Sequence, residues 1–308
     1  MRNNLPKQLI AAFFLFNMMS CRFFPEENTT YGKNKIGVDV TLQPAIEAEL
    51  YMFHKTYQNA DLKAIYAPEV DIIKQFVNDS FQTVVLARAL NDAENEYFRS
   101  KKIVPRITTI AKDGIAIILN RQNPDTLLAY EEVLGIFDGT ISSWSQISNK
   151  NSAGKINLLF DSPNSSTATY FMQLTQKNQL PANAFAAANG NMEVIQKVGS
   201  NKSAVGVVGL AWLGELSNSE WNTLNKQVRI AYIRPKGSKK DEYYKADQMN
   251  LSDSLYPFIR PVNIIECSGS TTLGTGFGSF CYNEQGQRII SKTGILPYIP
   301  PLRQINLK

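Results

Sequence analysis

Apolar residues recur along this chain in two alternating patterns. Short apolar runs that read as strands are followed by segments whose apolar side chains return every three or four positions. Residues 36–40 predict a first strand. Residues 44–57 predict an amphipathic helix with Ile46, Leu50, Phe53 and Tyr57 on one face, and Pro44 suits its first turn. A strand at 62–67, a helix at 69–78 with Ile72, Ile73, Phe76 and Val77 inward, and a strand at 83–87 follow. Asn91 and Asp92 cap a charged helix that runs to about Lys102. Residues 107–110 and 115–120 read as a strand pair split by a polar turn, Lys112-Asp113-Gly114, where a hinge would fit. Further on, 130–137 predicts a helix, 155–160 a buried strand, 168–176 a helix, 191–198 a helix, 204–209 a small-residue strand and 228–233 another strand. A long extended run at 256–266 reads as a return crossing. Helices at 273–282 and 284–292 close the chain, stopped by Gly294 and Pro297. Strands alternating with helices define an α/β protein.

With 308 residues there is room for one large or two medium domains. The content of 44% apolar and 19% charged residues is that of a globular protein. A net charge of +5 without long basic blocks gives no basic stripe for nucleic acid, so none is expected as a partner. The N-terminus departs from this composition. Arg2 and Lys7 precede an apolar run over 9–19, and Ser20-Cys21 follows. This is the layout of an export signal at 1–20, too short to span a membrane. A small residue before Cys21 resembles a lipoprotein signal box, which makes Cys21 the lipid-bearing first residue, with Met18 where Leu is usual. Loss of Arg2 and Lys7 with the signal, and of no acid, leaves +3. Residues 21–34 are polar and suit a flexible tether. Cys267 and Cys281 are either a disulfide of an oxidising compartment or two buried thiols.

The candidate chemistry lies where strands pass into helices. Asp161-Ser162-Pro163-Asn164-Ser165-Ser166-Thr167 separates a strand from a helix, as does Asp39-Val40-Thr41-Leu42-Gln43-Pro44. Each offers hydroxyls and free amides at a positive helix end, which serves either as a cap or as an anion site. In open α/β sheets ligands sit at the carboxyl ends of strands, where both junctions lie. If the junctions belong to separate lobes, a small tetrahedral anion fits between them. His54, the lone histidine, lies beside an apolar helix face and is read as structural. No nucleophile set, metal cluster or cofactor motif can be assembled. The glycines of Gly274-Thr275-Gly276-Phe277-Gly278 match no nucleotide pattern and are read as close helix packing.

The order of segments over about 35–302 resembles the PstS-type phosphate-binding proteins of ABC importers. Asp39-Val40-Thr41-Leu42 is similar to that family's first anion loop. Residues 134–144, Leu-Gly-Ile-Phe-Asp-Gly-Thr-Ile-Ser-Ser-Trp, resemble its L-G-x-I-F-x-G-x-I-x-x-W segment. Asn164-Ser165-Ser166-Thr167 stands where it has G-S-G-T, and 204–209 resembles its A-I-G-Y strand. The resemblance implies a type II periplasmic-binding-protein fold, two mixed-sheet lobes joined by hinge strands. Lobe 1 would be 35–111 with 256–308, and lobe 2 would be 112–255. It implies capture of inorganic phosphate or a related oxyanion without chemistry. It also implies delivery to an ABC permease by a monomer, lipid-anchored through Cys21 in the cell envelope.

Three positions depart from the family. Ala67-Pro68-Glu69-Val70 lacks its second-loop Ser, Ala87-Arg88 replaces Ser-Asp, and Asp161 stands in place of an Arg. An exchanged pair is therefore expected, with Arg88 donating to the anion and Asp161 accepting its proton, against a plain salt bridge or unrelated surface charges. Glu69 lies beside them, as a ligand contact or as the acid of its own helix's first turn. The competing functions are a ligand-altered or ligand-free interaction protein of the same fold and, further off, a secreted phosphatase.

Overall fold

The computed structural model describes residues 27–187, 190–214, 226–268 and 271–301; the predicted signal at 1–20 and Cys21 lie outside them. A strand, β1 (Gly32–Asp39), enters a short 3-10 turn, Val40–Leu42, and then helix α1 (Gln43–Thr56). After β2 (Ala60–Ala67), α2 (Glu69–Val77) and β3 (Thr83–Leu86) comes α3 (Asp92–Ser100). Asn91, expected as a cap, forms a reciprocal capping box with Glu94 on α3. β1 pairs in parallel with both β2 and β3, as crossover helices require.

The centre of the molecule differs from expectation. Residues 106–120 form one unbroken strand, β4 (Arg106–Asn120), with no turn at Lys112-Asp113-Gly114. The polar side chain of Asp113 is tolerated in this buried strand because its partner strand brings a guanidinium to it. That partner is β11 (Ile259–Glu266), antiparallel to β4, with Arg260 directly opposite Asp113. Opposed residues of an antiparallel pair share a face.

The near half of β4 continues through β11 into the β3–β1–β2 sheet, and its far half pairs with β8 (Ala204–Gly209). β8 is followed in the sheet by β6 (Asn157–Phe160) and β7 (Ala184–Ala186), both parallel. β4 and β11 thus lie between two half-sheets, each flanked by helices. This is a mixed α/β architecture of the type II periplasmic-binding-protein kind.

On the second half-sheet lie β5 (Leu127–Ala129), α4 (Tyr130–Asp138), α5 (Ser166–Thr175) and α6 (Gly190–Ser200). The predicted strand at 228–233 is two: β9 (Val228–Ile230) joins β4, and β10 (Tyr232–Arg234) joins β5. Helix α7 (Gln248–Ser252) is capped by Asp247. Helices α8 (Leu273–Tyr282) and α9 (Glu284–Lys292) return to the first half-sheet, where Phe53 meets Phe277 and Phe280 edge-on at 5.5 and 5.6 Å.

Residues 27–34, expected within a flexible tether, are docked. Glu27 Oε1 accepts from Leu273 N at 2.6 Å and from Asn34 Nδ2 at 2.7 Å, and β1 already begins at Gly32. The glycine of α8 at 276 permits this, since a Cβ there would overlap the Thr29 carbonyl. Cys267 and Cys281 are both free thiols.

One packing prediction arises here. β8 lies so close to α6 that a Cβ on Gly206 would stand 2.6 Å from Val198 and 2.9 Å from Ile118 and Val194. Gly206→Val is expected to destabilise by about 1–3 kcal/mol through overpacking, read as a lower urea midpoint at unchanged slope.

Candidate functional site

The two strand-to-helix junctions meet. At the first, Asp39 Oδ1 accepts from the Thr41 amide at 3.0 Å and so caps the turn that leads into α1. At the second, Ser165 caps α5 by accepting from Ala168 N at 3.2 Å. Thr167 Oγ1 lies 3.0 Å from Ser165 Oγ and donates to Asp161 Oδ1, also at 3.0 Å. Thr41 Oγ1 stands 3.0 Å from Ser166 Oγ, so hydroxyls borne by the two half-sheets touch across the crevice. Thr41, Asp161, Ser165, Ser166 and Thr167 are all buried.

Two residues that the sequence did not assign to the site, Arg260 and Asp113, hold this meeting point together. Arg260 donates from Nη1 to Ser166 Oγ at 2.6 Å and from Nη2 to Thr41 Oγ1 at 2.9 Å. It also donates from Nε and Nη2 to Asp113 Oδ2, at 3.0 and 2.8 Å. Asp113 Oδ1 accepts from Leu210 N at 3.0 Å. One guanidinium therefore ties both junctions to the central strand pair. Gly209 leaves room for it, because a Cβ there would lie 3.3 Å from Nη2 and 2.9 Å from the Thr41 carbonyl. The available signal was an Arg inside an apolar extended run.

The other expected residues are placed differently. Leu42 sends its side chain into the hydrophobic core and contributes to the crevice only through the turn it ends. Asn164 is exposed, and its carbonyl accepts from Val70 N at 3.3 Å, a backbone link between the halves. Glu69 occupies the first turn of α2, and its Oε1 accepts from Arg88 Nε at 2.9 Å. Arg88 is clamped on its own half: Nη1 and Nη2 reach both Glu94 oxygens at 2.7 and 2.8 Å, and Nη1 also reaches the Ala89 carbonyl. It lines a cavity of about 460 Å³ with Glu69, Glu94, Thr169 and Gln173, and makes no hydrogen bond to Asp161. The expected exchange had Arg88 donating to the anion and Asp161 accepting its proton, with a salt bridge between the two as the alternative. The guanidinium that reaches the junctions is instead that of Arg260.

Burial governs the electrostatics. It pushes Asp161 up to about 6; the Ser165 and Thr167 hydroxyls pull the other way and Asp39 adds to the rise. Burial also raises Glu69, helped by Asp39 and opposed by Arg88 and Arg260. Burial works against the charge of Arg260, but Asp113, Asp39 and Glu69 outweigh it and hold the guanidinium protonated. Among the described residues no group of His, Cys, Asp and Glu side chains is arranged to hold a metal. No helix among them is long and apolar enough to cross a membrane.

Two helix N-termini thus converge on one crevice, with hydroxyls and a guanidinium between them. The family model for the PBP superfamily domain matches residues 25–285, and the chain belongs to that family. Among curated proteins it is similar to the phosphate-binding protein PstS of Staphylococcus aureus strain bovine RF122 / ET3-1, 24% identical over 229 residues. That match covers 73% of this chain and 65% of the relative, so the chain spans just under two thirds of the relative's length. Two solved structures share the fold. One is a proposed phosphate ABC transporter substrate-binding protein from Clostridium perfringens with bound phosphate, at TM-score 0.72 and 19% identity, covering 87% of this chain and 100% of that one. The other is an ABC-type phosphate transport receptor from Vibrio cholerae, at TM-score 0.66 and 18% identity, covering 86% of this chain and 100% of that one.

Proposed function

We propose that this chain captures inorganic phosphate, or a close oxyanion, outside the inner membrane and delivers it to the permease of an ABC importer. The chain would work as a monomer tethered to the cell envelope by a lipid on Cys21. Lobe 1, residues 35–111 with 256–308, and lobe 2, residues 112–255, would close on the anion about the β4–β11 strand pair. The observation that carries this reading is the 3.0 Å approach of Thr41 to Ser166 beside Arg260, which puts donors from both halves on one point. The similar proteins named for phosphate support the choice of ligand. Hydroxyls, free amides and the guanidinium fork would replace the anion's water shell. Binding would favour the closed arrangement by the anion's differential affinity for it.

Calorimetry of the mature chain with phosphate tests the proposal: heat of binding and a raised melting temperature are expected, because a ligand specific for the native state stabilises it. Thr167→Val, which keeps the side-chain volume and removes the hydroxyl that holds Asp161 Oδ1, is expected to weaken binding about tenfold. A second reading, a ligand-free interaction protein of the same fold, is favoured by the commitment of Arg88 to Glu69 and Glu94. Absence of both heat and stabilisation would select it.

A further inference from the structure

A groove of about 530 Å³ lies away from the crevice, at the opposite end of the β4–β11 pair. Asp113 on β4 marks the crevice and Arg106 the groove, roughly 23 Å apart at the rise of a strand. Ile107 of β4, Ile264 of β11, Gly278 and Tyr282 of α8, and Tyr298 line it. Ile107, Tyr282 and Tyr298 are 48%, 43% and 48% exposed, and the two tyrosine rings stand 6.2 Å apart. The charged members are already engaged: Arg106 pairs with Glu266 at 3.1 Å, and Glu266 also accepts from Thr275 Oγ1. What the groove offers an occupant is therefore apolar and aromatic contact.

Its floor carries a glycine that packing does not explain. Two other glycines of α8 are fixed by their neighbours, since a Cβ on Gly274 would overlap Thr83 and one on Gly276 the Thr29 carbonyl. A Cβ on Gly278 would make only ordinary contact with Ile264, at 3.6 and 3.9 Å. Glycine inside a helix is costly. The expectation of close helix packing accounts for Gly274 and Gly276 but not for Gly278, whereas a bulky side chain lying over the groove does.

The chain itself supplies such side chains. The described residues begin at Glu27, whose Oε1 accepts from Leu273 N in the first turn of α8. Arg22-Phe23-Phe24-Pro25-Glu26 comes directly before that anchor. Phe24 and Phe23 reach about 10 and 13 Å from it, and α8 from end to end is about 15 Å long. The C-terminal chain leaves the groove instead. Ile299 N donates to Gln287 Oε1 on α9, and Pro300 and Pro301 have no amide to donate.

We propose that Phe23 and Phe24, in the chain's own tether, dock in this groove over Gly278 and against Tyr282 and Tyr298. The consequence rests on the lipid reading above; the docking does not. With a lipid on Cys21, docking shortens the free leash to Arg22, and the anion crevice is held at the end of the molecule turned away from the membrane.

Photo-crosslinking tests this on the mature chain carrying Cys21→Ser and no lipid, with benzoylphenylalanine in place of Phe24. Cross-links within one molecule to Ile107, Ser279, Tyr282 or Tyr298 are expected. Gly278→Leu fills the floor without a clash and should abolish them. In the double variant Phe23→Ser with Phe24→Ser, amides over 278–282 should exchange hydrogen about tenfold faster, with those of β8 unchanged. Cross-links between two copies of the chain, or to residues away from this groove, overturn the inference. So does an exchange pattern identical in the parent and the double variant. None of these readouts needs phosphate or lipid, so failure here leaves the capture reading standing.

Discussion

Replacing Arg260 by alanine is expected to weaken phosphate capture by about a hundredfold or more and to destabilise the fold by about 3–5 kcal/mol. The two effects have different causes. Arg260 is almost wholly buried and donates twice to Asp113. Without it, Asp113 keeps only the Leu210 amide and stands as an uncompensated buried charge. The same truncation removes the guanidinium that reaches Thr41 and Ser166 together. Lysine is no substitute: a single ammonium cannot present a planar fork to Asp113 and two hydroxyls at once. The double variant Arg260→Met with Asp113→Asn separates the effects. It removes both charges of the pair, and an amide oxygen still accepts from Leu210 N, so most of the stability should return. Phosphate binding should not return. Urea melts and calorimetry on the three variants check this. Binding of phosphate by the double variant at undiminished affinity would remove Arg260 from the site.

What the chain discloses of itself follows from how local each signal is. Thr41 and Ser165-Ser166-Thr167 were legible because a strand running into hydroxyls and then a helix is a local pattern, and capping chemistry explains it within a few residues. The cap at Asn91 was legible for the same reason, though not its return bond to Glu94. Asp113 and Arg260 are 147 positions apart, and each alone reads blandly. Lys112-Asp113-Gly114 has the composition of a turn, and only the Arg carried by the opposed strand turns it into buried strand. The break inside 228–233 was hidden likewise. Ala231 N donates to Ile117 O and Tyr232 N to Thr126 O, so neighbouring residues join different strands with no change in apolar character. Arg88 shows the opposite failure. Its position beside the third strand suggested a role toward the ligand, but the acid of the capping box, Glu94, serves the helix start and captures the guanidinium as well.

The second large effect lies away from the crevice, at Glu49 on α1. It follows Ile46 by three positions and precedes Phe53 by four, on the inward stripe of the helix, and it is fully buried. Its neighbours are the Cys281 thiol of α8 and the Ile290 backbone of α9, yet neither oxygen makes a well-formed hydrogen bond. Burial pushes its carboxyl up to about 9, with Cys281 and Ile290 only partly opposing. Burial likewise raises the Cys281 thiol, and Glu49 adds to that. Glu49 therefore folds in its neutral form. From its ordinary value of 4.5 up to about 9 the folded chain holds a proton that the unfolded chain has released. Stability must then fall as pH rises through that window, by an amount on the order of a few kcal/mol. Glu49→Gln, close in shape and never charged, should erase this slope. The variant is expected to match the parent near about pH 4.5 and to exceed it in stability by about 2 kcal/mol or more near about pH 8, as read from urea unfolding across the range. Parallel stability profiles for the two proteins would mean that Glu49 is ionised in the folded core.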